Sequence, residues 1–464
     1  MTVTADFATR LAAWCATGPK THSARALELA LEGVRDTVAC MVAGATDEIT
    51  LRATAAAGHF GNGQCSAVGA AERLSLGGAA FVNGAAAHIY DYDDNFFPAA
   101  AHASAVVVPA ILAVGEHQGC SGIELLDAYI VGLEAMGRVG EAINYEHYER
   151  GWHATSTLGP IGAAAAVARL MGLSTTAMQD ALSLSTSMAG GSRRQLGTMA
   201  KPLHVGLAAQ HGILAAQLAA SGLDGIGDPY GGTWGFRALY AGENSPGFDG
   251  LADKIGAPSA IEEFGLMPKI YPCCASSHAT VDAVISLMKD NQLAVDDVAA
   301  VDTYVHALTI GNLRYDIPQS VTESRFSMGY AVLAAMHGGQ LGLADFTARG
   351  LAREAIMARL HIVKMHRHDA VRPDPIPANV LEPAEVVITT HTDATLRQTV
   401  LYARGVLQNP ASTAQWSRKI DDCLMNVLDE NRRSKLKTCL DNFEALDEVA
   451  SLMGLLRDVQ RRAR

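Results

Sequence analysis

The sequence predicts a mainly α-helical protein in which a large all-helical domain is interrupted by a smaller α+β insert. Apolar residues recur at every third or fourth position over most of residues 5–220, which is the period of a helix. Beyond Gly225 the chain becomes rich in loop-forming glycine, and segments with the alternation typical of strands follow. Residues 411–464 return to a helical pattern with alternating charge. We therefore expect a helical portion, an insert and a second helical portion, in that order.

The N-terminal half is expected to form a series of closely packed helices. Ser121 and Glu124 have the spacing of a capping box, which favours a helix start at that point. Loops are expected at Gly58–Ser66 and in the polar aromatic segment before His153. The predicted helices cover residues 5–16, 23–44, 46–58, 70–88, 104–119, 121–144, the stretch beyond His153, residues 175–191 and the stretch beyond Lys201.

The insert is expected to combine strands with helices. Residues 298–310 have the composition and alternation of a strand. Residues 384–405 are expected to form a hairpin that turns between Thr392 and Thr395. Helices are expected between these strands, over Ser327–Met336 and Asp345–Met357.

Length, charge and cysteine spacing exclude several classes of protein. The 464 residues are 49% hydrophobic, enough for a large buried core, but no run of about eighteen apolar residues is uninterrupted, which argues against a membrane protein. The formal net charge of −12 disfavours nucleic acid as a partner. Eight cysteines without a C-x-x-C spacing favour reduced thiols, and an N-terminus without a basic and apolar leader favours the cytoplasm.

The stretch from His88 to Ser104 is the strongest candidate for part of a functional site. It holds three carboxylates and two imidazoles between apolar helical segments, and a protein interior tolerates such a cluster only when the charges are paired, hydrated or used in function. Asp91, Asp93 and Asp94 cannot all ionise at low cost in a dry site, so at least one is expected to have a raised pKa or a cationic partner. His102 could act as an acid or a base near neutral pH. The alternative is a set of helix caps and surface acids.

Three later patches could form the other walls of a polar cleft. Lys201 precedes Pro202, which suits the first turn of a helix, and a cation there is unfavourable for the helix dipole unless an anion offsets it. Lys269 stands at the inferred domain junction, where ligand clefts commonly lie. His153 is followed by hydroxyl side chains that suit an anion or a hydrogen-bond network. The alternatives are a solvated lysine at position 201 and a structural histidine at position 153.

Motifs for nucleotide binding, serine hydrolysis and metal binding are missing from the sequence. There is no phosphate loop, no G-x-G-x-x-G after a strand, no H-E-x-x-H and no G-x-S-x-G. A calcium loop is excluded because Phe96 stands where that loop needs glycine. The adjacent Cys273 and Cys274 are poorly placed to chelate one metal, and His366 and His368 are expected in a basic surface loop. We therefore predict no metal site.

Several of these segments together resemble the MmgE/PrpD family. GTMAKPLH and YPCC with a following histidine are the most specific; VRDTVACMVAG, HIYDYDD, LLDAYIVGLEAMGRVG and the late VVITTHTDATL hairpin fall in the family's order over nearly the whole chain. The resemblance implies a helical domain formed by residues 1–268 and 405–464, an α+β lid domain formed by residues 269–404, and a homodimer. It also implies that no metal or organic cofactor is needed.

The resemblance further implies a set of residues in the cleft between the helical domain and the lid. The predicted catalytic residues are Asp91, His102, His153, Lys201, Lys269 and Tyr330. The predicted substrate-binding residues are Asn95, Arg193, Arg194, Lys201, His204 and Lys269. His102 is expected to be the principal acid or base, with His153 or Tyr330 handling the second proton. Without the resemblance, Tyr330 would be interpreted as a core residue.

The implied activity is proton transfer at a carbon next to a carboxylate of a small di- or tricarboxylic acid. Lys201 and Lys269 would bind substrate carboxylates and stabilise the charge of the intermediate, and Asp91 would orient an imidazole or a lysine. A hydro-lyase similar to 2-methylcitrate dehydratase is the first expectation. The alternatives are an epimerase acting on an iminodisuccinate-like acid and a decarboxylase acting on a cis-aconitate-like acid. From a different class, the alternative is a non-catalytic carboxylate-binding protein.

Overall fold

Helices form most of the chain up to residue 266 in the computed structural model, which describes residues 2–242, 244–368, 382–457 and 459. The capping box of Ser121 and Glu124 is present, as predicted. The helices are α1 Val3–Thr17, α2 Ala24–Gly44, α3 Glu48–Ala57, α4 Leu76–His88, α5 Ala103–Gln118, α6 Gly122–Ile143, α7 Glu146–Glu149, α8 Ala154–Leu170, α9 Thr175–Thr186, α10 Ala200–Ala220, α11 Phe236–Tyr240, α12 Leu251–Lys254 and α13 Ala260–Phe264.

Shorter helices and strands alternate in the insert, and helices return after it. The helices of the insert are α14 His278–Asp290, α15 Ala307–Asn312, α16 Val321–Ser324, α17 Met328–Gly338, α18 Ala348–Leu351 and α19 Glu354–Met357. The C-terminal helices are α20 Thr413–Met425, α21 Glu430–Asp441 and α22 Ala450–Arg457. Single 3-10 turns lie at Gly58–Phe60, Phe97–Ala99, Arg193–Gln195, Ala275–Ser277, Val295–Asp297, Leu343–Phe346, Leu360–Ile362 and Phe443–Ala445.

Glycines allow the central helices to approach one another closely. A Cβ atom on Gly132 of α6 would lie 2.8 Å from the carbonyl oxygen of Gly162 in α8, and one on Gly44 of α2 would overlap the carbonyl oxygen of Ala86 in α4. Interiors are packed to crystal-like density, so a larger residue at either glycine would force two helices apart. These glycines therefore allow the close contact of α6 with α8 and of α2 with α4.

The insert contains a mixed four-stranded sheet. The strands of the chain are β1 Asn62–Cys65, β2 Val298–Val305, β3 Val363–Arg367, β4 Ala384–Thr390 and β5 Thr395–Val400. The sheet order is β3-β2-β4-β5, with β2 and β3 parallel and the other pairs antiparallel. Val301 of β2 lies opposite Val363 on one side and Ile388 on the other. The predicted hairpin is confirmed, and the mainly α fold with a small α+β domain is as predicted.

Two separate hydrophobic clusters occupy the interior. One contains buried residues between Phe7 and Leu266 and between Cys423 and Val459; the other contains Phe97 and buried residues between Met267 and Val406. The chain thus leaves the first cluster near residue 266 and returns to it after residue 406. We propose domains at 1–268 with 405–464 and at 269–404 on this basis. Parts of both, at 369–381 and 460–464, lie outside the described residues.

Two predicted elements of the insert are shorter or more broken than expected. The strand predicted over 298–310 ends at Val305, and α15 takes up the following residues. The helix predicted over 345–357 is divided into a 3-10 turn and the short helices α18 and α19. Thr347 explains the break, because its hydroxyl accepts a hydrogen bond from the N–H of Gly350 and so starts a new helix inside the predicted one.

The strand β3 was missed. His366 was expected in a loop, but it lies in β3, and its Nε2 is 2.6 Å from Asp302 on the neighbouring strand. Its partner β2 alternates buried with half-buried residues, whereas β3 is an edge strand with lysine and arginine on it, which hides the alternation in the sequence. Residue 369, the end of the predicted basic loop, lies outside the described residues.

Two expectations from composition can be compared with the fold. Within residues 2–242, 244–368 and 382–457, no helix combines the length and the apolar character that a membrane crossing needs. The eight cysteines are all free thiols, as predicted, with six buried and Cys274 and Cys439 half-buried.

Candidate active site

The acidic stretch forms a buried turn between α4 and α5. α4 ends at His88, the chain turns at Asp91 with a φ of 51°, and α5 begins at Ala103. Aspartate tolerates this left-handed conformation better than most residues because its short side chain can form local hydrogen bonds. The backbone N–H and C=O of Asn95 each bond to Met267 at 2.9 Å. The turn is therefore tied to the segment that connects the two hydrophobic clusters.

Two ammonium groups from distant parts of the chain converge on Asp91. The Nζ of Lys201, in the first turn of α10, lies 2.6 Å from Asp91 Oδ1, and the Nζ of Lys269 lies 3.0 Å from the same oxygen. Lys269 also donates to the backbone carbonyl of Asp91 at 2.9 Å. Burial alone would raise the pKa of Asp91, but the two ammonium groups lower it well below its usual range. Asp91 is therefore ionised, and two ammonium groups share one of its oxygens.

His102 is held in one tautomer by its neighbours. Its Nδ1 lies 3.1 Å from the backbone carbonyl of Asp94 and 3.2 Å from the carboxylate of Asp93. A carbonyl oxygen only accepts, so Nδ1 carries the hydrogen and the neutral ring has its lone pair on Nε2, 3.6 Å from Asp91 Oδ1. Burial lowers the pKa of His102 more than Asp93 raises it, so the ring is neutral near pH 7 and can act as a base.

The pKa values of the three carboxylates of the turn shift in different directions, as expected for a dry site. The pKa of Asp93, which burial would raise, is lowered well below its usual range by the imidazoles of His88 and His102. Burial and the nearby Asp36 instead raise the pKa of Asp94 well above its usual range, and Asp94 bonds to the hydroxyl of Ser104 at 2.5 Å. The prediction that one of the three would have a raised pKa or a cationic partner is confirmed.

His153 enters the site from the start of α8. The ring is buried, and its Nδ1 lies 3.1 Å from the Nδ1 of His204, which comes from α10 one turn after Lys201. Burial, followed by the charge of Lys201, lowers the pKa of His153 well below its usual range. Because Nδ1 is occupied by His204, Nε2 is the nitrogen of His153 that remains for a ligand.

These groups meet at a cavity of about 90 Å³, roughly six times the space that one water needs. The wall combines residues of the helical portion with residues of the insert, such as Leu308 and Phe326. Six of the predicted site residues line it: Asp91, Asn95, His102, His153, Lys201 and Lys269. The structure therefore brings together the cationic, acidic and imidazole groups that the sequence separates by up to 178 residues.

Four predicted site residues do not line the cavity. Tyr330 lies in the core of the insert, and its hydroxyl donates to the backbone carbonyl of Asp345 at 2.5 Å, so it has no free donor for a substrate. Arg194 is exposed. Arg193 bonds to Asn312, which does line the cavity, at 2.6 Å and acts behind the wall. His204 contacts His153 and not the cavity.

Several cavity residues were missed in the sequence. Tyr148 lies in the polar aromatic segment before His153, and its hydroxyl donates to Asn312 Oδ1 at 3.0 Å. Asn312 in turn donates to Ser276, and Glu382 accepts a hydrogen bond from Thr309 at 2.6 Å. Composition near Tyr148 could have indicated it, but Asn312 and Glu382 stand in segments without a local chemical pattern. Only the folding of the insert places them at the wall.

Four side chains of the turn lie close enough together to be considered as metal ligands. The residues are His88, Asp91, Asp93 and His102, and their ligand atoms all lie within 4.8 Å of one another. Two nitrogens and two carboxylate oxygens would suit a divalent transition metal. Here, however, Asp91 already contacts two ammonium groups, and Asp93 accepts from both imidazoles. The prediction that the protein has no metal site stays a prediction.

Two family models match this chain, and several known proteins have similar sequences. The MmgE/PrpD N-terminal domain matches residues 9–249, and the MmgE/PrpD C-terminal domain matches residues 271–443. A cis-aconitate decarboxylase of Homo sapiens is 30% identical over 389 residues, which cover 82% of this chain and 79% of that protein. The Mus musculus cis-aconitate decarboxylase is 29% identical over 393 residues, covering 82% and 78%. One from Aspergillus terreus is 26% identical over 419 residues, covering 85% and 84%.

The two domain matches together span most of the chain, and they meet close to the point where it passes from one hydrophobic cluster to the other. Most of the motifs that suggested the family lie inside these matches, including the segment that carries Lys201, whereas Lys269 stands two residues before the second match. The relatives named above are carboxy-lyases by name. The chain belongs to the MmgE/PrpD family, a family of lyases.

Proposed function

We propose that the protein is a lyase that acts on a small di- or tricarboxylic acid by proton transfer at a carbon next to a carboxylate. One observation carries the proposal: the ammonium groups of Lys201 and Lys269 and the imidazoles of His102 and His153 face one small cavity. The ammonium groups bind carboxylate oxygens, and the imidazoles supply a base and a hydrogen-bond donor. No metal or organic cofactor is needed for these steps.

The charge balance at Asp91 supports binding of an anion. Two buried ammonium groups share one carboxylate oxygen, so each can bind a substrate carboxylate while it keeps its contact with Asp91. Removing a proton from the carbon next to a carboxylate builds negative charge on the oxygens of that carboxylate. Loss of carbon dioxide builds negative charge on the oxygens of a carboxylate that the substrate keeps. Preorganised cations in a site that excludes water stabilise that charge more than water would.

His102 is the proposed proton-transfer group. Its neutral form presents the Nε2 lone pair near Asp91, so it can take a proton from a carbon and return it. In a decarboxylation, His102 would first take a proton from water on Nε2 and then deliver it to the carbon that gains a hydrogen as carbon dioxide leaves. In a dehydration, a proton leaves the carbon and the hydroxyl group departs as water. Tyr330 has no part in either step, because its hydroxyl bonds to Asp345.

Decarboxylation of a cis-aconitate-like acid is the first reaction to test, because the relatives above carry that name. The hydro-lyase that was favoured from the sequence, acting on a 2-methylcitrate-like acid, stays a prediction, as does the epimerase. The same groups could serve all three reactions. The three reactions differ in what leaves the substrate: carbon dioxide, water, or no group beyond the exchanged proton.

A substrate panel followed by mass spectrometry tests the proposal. Purified protein is incubated with cis-aconitate, citrate, 2-methylcitrate and iminodisuccinate in deuterated water. Loss of carbon dioxide, loss of water, or deuterium incorporation without a further mass change would identify decarboxylase, dehydratase and epimerase in turn, with chiral separation for the last. Binding of these acids with neither turnover nor deuterium exchange would contradict the proposal and favour the non-catalytic carboxylate binder.

His102→Asn is the matched site variant for the panel. Loss of the base should reduce turnover by about 10²- to 10⁴-fold. His361→Asn, at an exposed position, is the control. Near-normal turnover in the His102 variant would remove His102 from the mechanism.

We also propose a cytoplasmic homodimer. Large apolar side chains are exposed along and after α10, among them Leu214, Ile226, Trp234 and Leu239, with Trp234 at 86% exposure. An exposed apolar surface of this kind is often covered by another subunit. Light scattering coupled to size-exclusion chromatography measures the mass directly, and a monomer at micromolar concentration would contradict the dimer.

A further inference from the structure

The histidine pair behind the cavity has a geometry that constrains both rings. The Nδ1 atoms of His153 and His204 lie 3.1 Å apart, and the ring centroids are 5.3 Å apart. His153 lines the cavity, whereas His204 is half-buried and lies outside its wall. A Cβ on Gly191, which has a φ of 120°, would lie 3.3 Å from His204 Nδ1 and closer still to Ser156. The absence of a side chain at Gly191 therefore leaves room for the pair.

A hydrogen bond between two Nδ1 atoms requires one ring to donate and the other to accept. A neutral imidazole carries its hydrogen on only one nitrogen, so the two tautomers are reciprocal. If His204 donates from Nδ1, His153 carries its hydrogen on Nε2, toward the cavity. If His153 donates, its Nε2 has a lone pair toward the cavity instead. The charged or titratable groups that face the pair are Lys201, His88 and His102.

The substrate decides between the two tautomers. A lone pair on His153 Nε2 would face carboxylate oxygens, which repel it, whereas an N–H would bind them. His102 cannot take this role in its neutral form, because Asp94 and Asp93 hold its hydrogen on Nδ1. Among the described residues, Nε2 of His204 has no hydrogen-bond partner, so its lone pair can accept from water on the half-exposed side of the ring.

We infer that His204 is a positioning residue that keeps His153 neutral with its hydrogen on Nε2, so that His153 binds the substrate carboxylate or the charged intermediate as an N–H donor. His204 thus acts through His153 and does not touch the substrate. The inference deepens the proposed function and rests on it for the identity of the ligand, a carboxylate. The two imidazoles then have different roles: His102 transfers the proton, and His153 stabilises negative charge.

The first test compares two substitutions at position 204. His204→Asn keeps an N–H donor close to the position of Nδ1 and should retain most of the activity. His204→Leu removes the donor and should lower kcat on cis-aconitate by about 10- to 100-fold, with a smaller change in KM. His211→Leu is the matched control, since His211 lies on the same helix and bonds to the backbone carbonyl of Met188. Equal activity of the Asn and Leu variants, both folded by circular dichroism, would overturn the inference.

The second test is independent of turnover. Nitrogen-15 NMR of histidine-labelled protein distinguishes a protonated from an unprotonated ring nitrogen, and His153→Asn assigns the signals. The wild-type protein with cis-aconitate bound should show His153 protonated on Nε2 and not on Nδ1, and His204→Leu should show a mixture. A protonated Nδ1 on His153 in the wild type would overturn the inference. If the panel shows binding without turnover, the proposed function fails while this measurement still decides the tautomer.

Discussion

Two buried lysine–aspartate clusters hold the acidic turn, and only one of them opens onto a cavity. At the cavity, Lys201 and Lys269 converge on Asp91. Behind the turn, Lys419 of α20 contacts Asp36 of α2, and both side chains are only 1% exposed. The chemistry is the same, yet the first cluster is a candidate active site and the second is sealed inside the helical portion. A buried ion pair is therefore not in itself a sign of function.

Each lysine–aspartate cluster binds a backbone carbonyl of the acidic turn, but the pKa of the aspartate shifts in opposite directions in the two clusters. Lys269 donates to the carbonyl oxygen of Asp91 at 2.9 Å, and Lys419 donates to that of Tyr92 at 2.7 Å. Two ammonium groups lower the pKa of Asp91, whereas burial raises the pKa of Asp36 because a single ammonium group does not offset it fully. Two ammonium groups next to a cavity are what marks the first cluster as a place for an anion.

Removing one ammonium group at the cavity should affect activity far more than any change in the sealed cluster. Lys201→Met keeps the apolar stem but removes a charge that stabilises the intermediate, so kcat/KM should fall by about 10²- to 10³-fold. Stability should change little, because Asp91 keeps Lys269 as a partner. Steady-state kinetics and urea denaturation measure the two quantities. Lys254→Met, at an exposed lysine of α12, is the control.

The sealed cluster should respond in the opposite way. Lys419→Met leaves Asp36 buried without a partner and should lower the free energy of unfolding by about 3 to 5 kcal/mol. The double variant Asp36→Leu/Lys419→Met removes both charges and should recover much of that loss. Lys437→Met breaks a half-exposed pair with Asp421 and should cost less than about 1 kcal/mol. A double variant no more stable than Lys419→Met would show that the charges themselves are required there.

The next largest effect should be a dependence of stability on pH, which buried neutral histidines cause. Burial lowers the pKa of His88, His147 and His278 to about 3, whereas an unfolded histidine titrates near 6.5. Below pH 6.5 the unfolded chain therefore binds protons that the folded chain does not, and stability falls as the pH falls. Each histidine should cost on the order of 2 kcal/mol by pH 5, and the loss should level off near pH 3.

Urea midpoints measured from pH 7.5 to pH 4.5 test this dependence. His147→Gln should make the fall in stability shallower by about one proton, since His147 lies outside the cavity and its Nε2 contacts only the hydroxyl of Thr157 among the described residues. Asp91 makes stability depend on pH only at lower pH. Its lowered pKa contributes stability that is present above about pH 4 and is lost only below that, as the pH falls toward its folded value. An unchanged slope in the His147 variant would contradict the expected proton uptake.

The sealed cluster also shows what the sequence could not reveal. Helices and the hairpin were predictable because their signals are local: a 3.6-residue period, a capping box, and alternation around a turn. Six cavity residues were predictable because they stand in dense, unusual motifs. Lys419 stands in an ordinary amphipathic helix, and nothing within α20 indicates that it reaches Tyr92. Contacts made only by tertiary packing leave no pattern in a single sequence.

Two buried tyrosines extend the comparison and should give the smallest effects. Tyr148 lines the cavity, whereas the hydroxyl of Tyr330 bonds to Asp345 inside the insert. Tyr330→Phe should cost about 1 kcal/mol of stability for the lost hydrogen bond and change kcat/KM by less than about twofold. Tyr148→Phe removes one of the hydrogen bonds that hold Asn312 at the wall and should lower kcat/KM more. Steady-state kinetics of both variants tests this order of effects. A larger loss of kcat/KM in Tyr330→Phe than in Tyr148→Phe would return Tyr330 to the mechanism as the second proton-transfer group.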